Sequence, residues 1–190
     1  MNLLQLLKYK HENEKEINFL RKELFYLHEE WEYILDIFGK DDNIELINKA
    51  EPVAHLFQYI QHALLSSVTH RISRLLDPAK NGKNKNLSLK WYRSSLDCFQ
   101  RESNEALWRL IIYDGRIIKK LRNKVLSHND FNTVGSIDKL TWNNGSIDRI
   151  IKNINKYFIN TIDEDFMGKF KRDDRGVDIL MELLKENKTL

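Results

Sequence analysis

The stretch INFLRKELFYLHEEWEYILDIF, residues 17–38, carries apolar side chains at intervals that alternate between three and four residues. These apolar positions are Ile17, Leu20, Leu24, Leu27, Trp31, Ile34 and Phe38. Because an α-helix turns once every 3.6 residues, this spacing puts them on one face and leaves glutamate and lysine on the others. The stretch predicts a long amphipathic helix that ends at Gly39, since glycine adopts the left-handed conformation of a helix end without a Cβ clash. Such a seam could pair two protomers as a coiled coil, but three heptads are few, and packing inside a bundle is favoured.

A second long helix is predicted after Pro52, because proline fits the first turn of a helix, where its missing N–H costs nothing. The helix ends at Asp77-Pro78, since the residue before a proline is pushed out of the α region. Its predicted buried stripe takes every fourth residue: Leu56, Ile60, Leu64, Val68, Ile72 and Leu76. A polar row with the same spacing could be the second wall of a cleft or a solvated face: His62, Ser66, His70 and Arg74.

The middle of the chain is polar and basic. Residues 79–86 predict a loop with a turn at Asn81-Gly82, and a short helix is expected near residues 88–99. Basic and aromatic side chains alternate here and could contact an RNA backbone and stack on bases: Lys80, Lys83, Lys85, Lys90, Trp91, Tyr92 and Arg93. The alternative is that the charged side chains are solvated surface residues and the aromatic side chains belong to the core.

A third long helix is expected over about residues 103–126, in spite of Gly115, which costs about 1 kcal/mol relative to alanine. Its apolar side is predicted to consist of Leu107, Leu110, Ile111, Ile117, Ile118, Leu121 and Val125. After a loop over residues 131–145, Ser146 can cap a fourth helix, and a last helix is expected within residues 175–189. No alternating strand pattern competes with these helices, so the sequence predicts an all-α bundle of long antiparallel helices.

Composition supports one domain over residues 1–190. Two prolines and seven glycines are few for a turn-rich β fold, and 42% hydrophobic with 31% charged residues is an ordinary globular balance. The net charge of +3 permits nucleic-acid binding through a local patch. A single cysteine, Cys98, excludes an intramolecular disulfide and a cysteine zinc site. Without an apolar run of about 18 residues or a leader cleavage site, we expect a cytoplasmic protein with no membrane partner.

One short polar cluster, LRNKVLSHND at residues 121–130, has the composition of a catalytic site. Arg122 can hold a phosphate oxygen and stays charged at any working pH. His128 titrates near neutrality and can take the proton of a 2′-hydroxyl or give one to a leaving oxygen. Asn123 can orient either partner. The chemistry suits cleavage of an RNA phosphodiester and needs no metal.

Helical geometry leaves the relation of these residues open. Arg122 and His128 are six residues apart, about 120° around an ideal helix, and so converge only if the helix changes before His128 or two copies meet. A simpler interpretation is that basic residues at a helix end complement the negative end of the helix dipole.

The motif Arg122-Asn123, four residues and His128 resembles the signature of the HEPN superfamily, an arginine followed several residues later by a histidine near a helix end. An upstream pair of segments, ISRLLDP at residues 72–78 and NLSL at residues 86–89, resembles in particular the abortive-infection branch of AbiU type. The resemblance covers about residues 54–162.

This resemblance implies a dimer in which two motifs face one cleft, and a metal-independent ribonuclease without cofactor that leaves 2′,3′-cyclic phosphates. It implies that Arg122 stabilises the charged transition state, His128 acts as general acid or base and Asn123 positions the phosphate. Asp130 is a candidate for orienting His128, and Arg74, in the upstream segment, is a candidate supporting residue. Such proteins serve as toxins or phage-defence effectors and can have an antitoxin or regulatory partner. Other HEPN domains are non-catalytic modules that bind RNA, a nucleotide or a protein, which is the alternative; a purely structural bundle that associates through residues 17–38 is a third.

Further cations on the motif helix would surround the proposed site and could hold an RNA backbone: Arg116, Lys119, Lys120 and Lys124. No metal site is expected. His55 and His62 share a helix face with Glu51 nearby, but they form neither an HExxH motif nor a carboxylate triad.

Overall fold

The computed structural model describes residues 13–122, 144–162 and 175–186. The predicted all-α fold is confirmed across these residues, whose only strands are two short ones. The helices are α1 (Glu14–Phe38), α2 (Asp41–Lys49), α3 (Glu51–Leu75), α4 (Leu89–Ser95), α5 (Cys98–Ser103), α6 (Glu105–Leu121), α7 (Asn144–Ile162) and α8 (Arg175–Glu186). The strands β1 (Lys80–Asn81) and β2 (Asn84–Lys85) pair antiparallel.

Helices α1 and α3 form an antiparallel pair. At one end the rings of Phe38 and Phe57 lie 6.4 Å apart, and at the other Arg74 donates to Glu23 at 2.6 Å. Six of the seven predicted seam residues of α1 are buried in the main core, and Ile37 replaces Phe38 as the buried residue of the last turn. The seam is therefore used inside the bundle.

Helices α6 and α7 form the second antiparallel pair. Asn160 donates to the side chain of Asn104 at 2.7 Å at one end, and Arg149 binds Asp114 farther along. Helix α3 also packs against α6, so the two pairs share one core. A smaller cluster joins α8 to α2 and to the ends of α1 and α3.

The predicted buried stripe of α3 is partly wrong. Leu56 is 56% exposed, whereas its neighbour Phe57 is buried. A row that takes every fourth residue turns by about 40° per step on an ideal helix, so it leaves the core face within a few turns. The residues that are buried in α3, and Leu76 directly after it, follow the face more closely: Phe57, Leu65, Val68, Thr69, Ile72, Ser73, Leu75 and Leu76.

The predicted apolar side of α6 is also too wide. Leu110 and Ile117 are 49% and 42% exposed, while Ile111 and Ile118 are buried. Helix α6 is continuous through Gly115.

Three predicted boundaries differ from the structure. The short helix expected near residues 88–99 is two helices, because Ser88 caps α4 by accepting from the Trp91 N–H and Asp97 caps α5. Helix α7 begins at Asn144, so Ser146 lies inside it and is buried rather than capping it. The loop predicted over residues 79–86 contains the β1–β2 pair, whose turn uses Gly82 at φ +61°.

Candidate functional site

The upstream segment that resembles a HEPN motif packs, at the end of α3, against the part of α6 that precedes Arg122. A Cβ added to Gly115 would lie 2.0 Å from Cδ1 of Leu76, so the backbone of α6 passes directly over that side chain. One turn further on, Lys119 Nζ donates to the Leu76 carbonyl at 3.3 Å and to Asp77 Oδ1 at 3.1 Å. The upstream segment thus holds the part of α6 that leads to Arg122.

Arg122 is the last described residue before the rest of the motif. It follows α6 in a helical conformation, with φ −51° and ψ −50°, and its side chain is half-buried. Asn123, Lys124, His128 and Asp130 lie outside the described residues, so their predicted roles remain predictions.

The described end of α6 carries four cations within seven residues. Arg116 and Lys120 are exposed, and Lys119 is half-buried through its contacts with the end of α3. The described members of the cationic patch predicted around Arg122 therefore lie at one helix end. One of them, Lys119, forms an ion pair with Asp77.

Arg74 forms an ion pair between α3 and α1. Its guanidinium binds Glu23 at 2.6 Å, and the side chain is 61% exposed. Arg71 lies one turn away, binds Glu30 at 3.0 Å and stacks 5.1 Å from the centroid of the Tyr26 ring. In the structure Arg74 contacts a scaffold helix, and its supporting role stays a prediction.

The other members of the polar row on α3 point toward solvent or toward their own helix. His62 and His70 are exposed, and His70 Nδ1 lies 2.8 Å from the carbonyl oxygen of Ser66. A solvated face accounts for this row as well as the wall of a cleft does.

An ion pair with a buried carboxylate, which the sequence did not reveal, fixes α7 on α6. Asp114, whose side chain is 1% exposed, accepts two hydrogen bonds from Arg149 at 2.8 and 2.6 Å. Arg149 also donates to the Ser146 hydroxyl at 3.2 Å. The hydrogen bonds from Arg149 to Asp114, together with the carboxylate charge, raise the pKa of the guanidinium. Because Asp114 and Gly115 are adjacent, α6 is held by α7 and by α3 at the same turn.

The basic and aromatic segment near α4 divides between core and surface. Tyr92 is fully buried and bonds to Thr161 at 2.6 Å, so its predicted stacking on bases is wrong. Lys80, Lys83 and Lys85 are exposed on the β1–β2 pair, and Trp91 is half-buried against the core.

Arg93 turns inward instead. It donates to Glu105 at 2.5 Å and to the Tyr157 hydroxyl at 3.3 Å, and its guanidinium lies 5.0 Å from the ring centroid of Trp108. Hydrogen bonding to Arg109 and the charges of Arg93 and Arg109 lower the pKa of Glu105. Trp108, which contacts Arg93, was not among the residues predicted from the sequence. The one pattern that could have pointed to it is its spacing of four residues from Ile112 on α6.

Over the described residues, no three His, Cys, Asp or Glu side chains gather in a way that could bind a metal ion. No helix among them combines the length and apolarity that crossing a bilayer requires.

The all-α architecture of the described residues is consistent with a HEPN-like domain. The family model AbiU2, of HEPN type, matches residues 12–159, which is well over half of the chain, so the chain belongs to the AbiU2 family. The resemblance to the abortive-infection HEPN branch is confirmed, and the match includes α1, which lies before the expected start near residue 54. No curated protein and no solved structure matches the chain.

Proposed function

We propose that this AbiU2-family domain is a metal-independent endoribonuclease that acts in phage defence or as a toxin. The observation that carries the proposal is the end of α6, where Arg122 follows three further cations in a family whose signature is an arginine followed by a histidine. Cations on a rigid helix end can bind the backbone of RNA and stabilise charge that develops on a phosphate.

The proposed reaction is an internal transesterification. His128, as the general base, takes the proton of the 2′-hydroxyl, the 2′-oxygen attacks the phosphorus, and the bond to the 5′-oxygen of the next nucleotide breaks. The leaving oxygen takes up a proton, supplied by the second histidine of a dimer or by water, and the product is a 2′,3′-cyclic phosphate. Arg122 would stabilise the additional negative charge of the transition state, and Asn123 would position the phosphate.

Dimerisation belongs to the proposal, because Arg122 and His128 lie about 120° apart on an ideal helix and two copies can complete one cleft. Exposed apolar side chains on α6 support it, since Leu110, Tyr113 and Ile117 are 49%, 63% and 42% exposed at spacings of three and four residues. Replacing Tyr113 with lysine should shift the sedimentation-velocity profile toward the monomer, and an unchanged dimer would reject this face. An antitoxin or regulatory protein would be a further partner.

The deciding experiment compares wild type, His128→Ala and His55→Ala on mixed cellular RNA in EDTA, with the product ends mapped. His55 is exposed on α3 and provides a matched histidine control. We expect wild type and His55→Ala to give cyclic-phosphate ends, and His128→Ala to lose cleavage by about 100- to 10,000-fold. Equal cleavage by wild type and His128→Ala would refute the assignment.

A non-catalytic RNA-binding module is the second candidate, because the cations of the α6 end suffice for backbone contacts without a histidine. It predicts salt-sensitive binding that depends on Arg122 and the lysines and leaves no new RNA ends. Circular dichroism of each variant separates both candidates from loss of fold.

A further inference from the structure

A pocket of about 400 Å³ lies between α4, α6 and the end of α3, before the proposed cleavage site. Its apolar wall is formed by Trp108, Ile112 and Leu76, and the backbone of Gly115 also lines it. A volume of this size is ordinary for a small-molecule site, and an aromatic wall suits a planar ligand. We call it the Trp108 pocket.

The polar side of the Trp108 pocket consists of cations. Of the described residues that line it, four are basic and none is acidic: Lys90, Arg93, Arg116 and Lys119. Arg93 and Lys119 are held by Glu105 and Asp77, whereas Lys90 and Arg116 form no ion pair within the described part of the chain. Two cations are therefore available to a ligand that carries negative charge.

We propose that the Trp108 pocket binds one nucleoside phosphate, with its base against Trp108 and its phosphate between Lys90 and Arg116. Bases stack on aromatic side chains and on the planar guanidinium of arginine, and the pocket contains both. Arg93 lies 5.0 Å from the centroid of the Trp108 ring, and Glu105 fixes Arg93 in that position.

The position of the pocket makes an RNA strand the favoured source of this nucleotide. Arg116 precedes Arg122 by six helical residues, about 9 Å along the axis. This part of the inference rests on the proposed nuclease and assigns to the pocket a nucleotide near the cleaved bond.

The test measures binding in the full chain carrying His128→Ala, so that RNA is not cleaved. The probes are a short fluorescein-labelled oligoadenylate, followed by anisotropy, and adenosine 5′-monophosphate, followed by calorimetry. Trp108→Leu should weaken oligoadenylate binding about tenfold, and Trp108→Phe, which keeps a ring, should restore most of it. Lys90→Gln with Arg116→Gln should flatten the dependence of log Kd on log salt by about one unit, while Lys22→Gln, on the exposed surface of α1, should not.

The two sources of the ligand give different results. Oligoadenylate binding that depends on the pocket and far exceeds binding of the mononucleotide identifies an RNA strand, whereas equal pocket-dependent binding identifies a free nucleotide. The inference would be overturned if folded pocket variants bind both probes as tightly as the His128→Ala chain does. It would also be overturned if the His128→Ala chain binds neither probe at low salt.

The inference can fail separately from the proposed nuclease. His128-dependent cleavage by wild type, with unchanged binding in the pocket variants, would remove the pocket and keep the nuclease. Pocket-dependent binding without any cleavage by wild type would keep the pocket as a binding site and remove the nuclease.

Discussion

Gly115→Ala tests whether the close contact between α3 and α6 is a constraint of the fold. The added Cβ would lie 2.0 Å from Leu76 Cδ1 and 3.6 Å from Ile150 Cδ1, and Leu76 is only 3% exposed. Leu76 must therefore move within a packed core. Overpacking of this kind costs about 1–3 kcal/mol, and alanine returns about 1 kcal/mol of helix propensity. We expect a net loss of unfolding free energy of about 0–2 kcal/mol.

The Leu76→Ala background separates these two contributions. By itself Leu76→Ala should cost about 2–5 kcal/mol, because it leaves a cavity beside Gly115. In that background the obstructing Cδ1 atom is gone, so Gly115→Ala should stabilise the domain by about 1 kcal/mol through helix propensity. The two substitutions should then show a favourable coupling energy of about 1–3 kcal/mol.

Urea denaturation followed by helical circular dichroism measures all four proteins of this cycle. Gly176→Ala in α8 is the matched control, since nothing lies within 4 Å of the Cβ it would add. That substitution should not couple to Leu76→Ala. If Gly115→Ala changes stability by the same amount with Leu76 present and absent, the contact does not constrain the fold and the reasoning fails.

Four further predictions follow from contacts and burial of described residues. Arg71→Gln should lower the unfolding free energy by about 1–3 kcal/mol, since the half-buried guanidinium holds α1. Arg74→Gln should cost at most about 0.5 kcal/mol in urea denaturation, because its pair is largely exposed, so a loss of RNA cleavage with stability retained would indicate its predicted supporting role. Asp114→Asn should lower the melting temperature measurably and Asp148→Asn should not, since only the first removes a buried carboxylate; equal effects would contradict this. Burial raises the pKa of Tyr157 in the folded protein. The contribution of its neutral hydroxyl to stability is therefore intact below about pH 10 and is lost as pH rises through the raised pKa. Tyr157→Phe should flatten the alkaline fall in melting temperature, and an unchanged fall would count against this prediction.

The sequence predicts best those helices whose buried face follows from the spacing of their own apolar residues. The seam of α1 alternates steps of three and four residues, so it keeps one face to the core, and six of its seven members are buried. The stripe assigned to α3 used steps of four only, and its first member, Leu56, is exposed. The chemistry of Arg122 could be proposed from its residue type and its neighbours along the chain.

Features that join distant segments could not be predicted in the same way. The Trp108 pocket needs α4 and α6 to meet, and no local pattern says that Lys90 will face Ile112. The pair of Asp114 with Arg149 spans two helices, and an acidic residue within a helical pattern resembles any surface charge. Gly115 looked like a weak point of a helix, although it is the position where α6 touches α3 most closely.

The upstream segment acts mainly through structure, and this assigns different roles to the two motif segments. Leu75 and Leu76 are buried, Asp77 holds Lys119, and Asn86 closes the turn by donating to the Pro78 carbonyl at 2.9 Å.

Ser88 and Leu89 continue this scaffold, since the first caps α4 and the second is fully buried. Leu76 and Asp77 thus fix the end of α6, the buried members of the upstream segment support them, and Arg74 is exposed. Substitutions in the upstream segment should therefore lower activity in proportion to stability, whereas Arg122→Gln should lower cleavage by far more than its change in stability accounts for. Variants of the upstream segment that lose cleavage at full stability would show that it takes part in the chemistry.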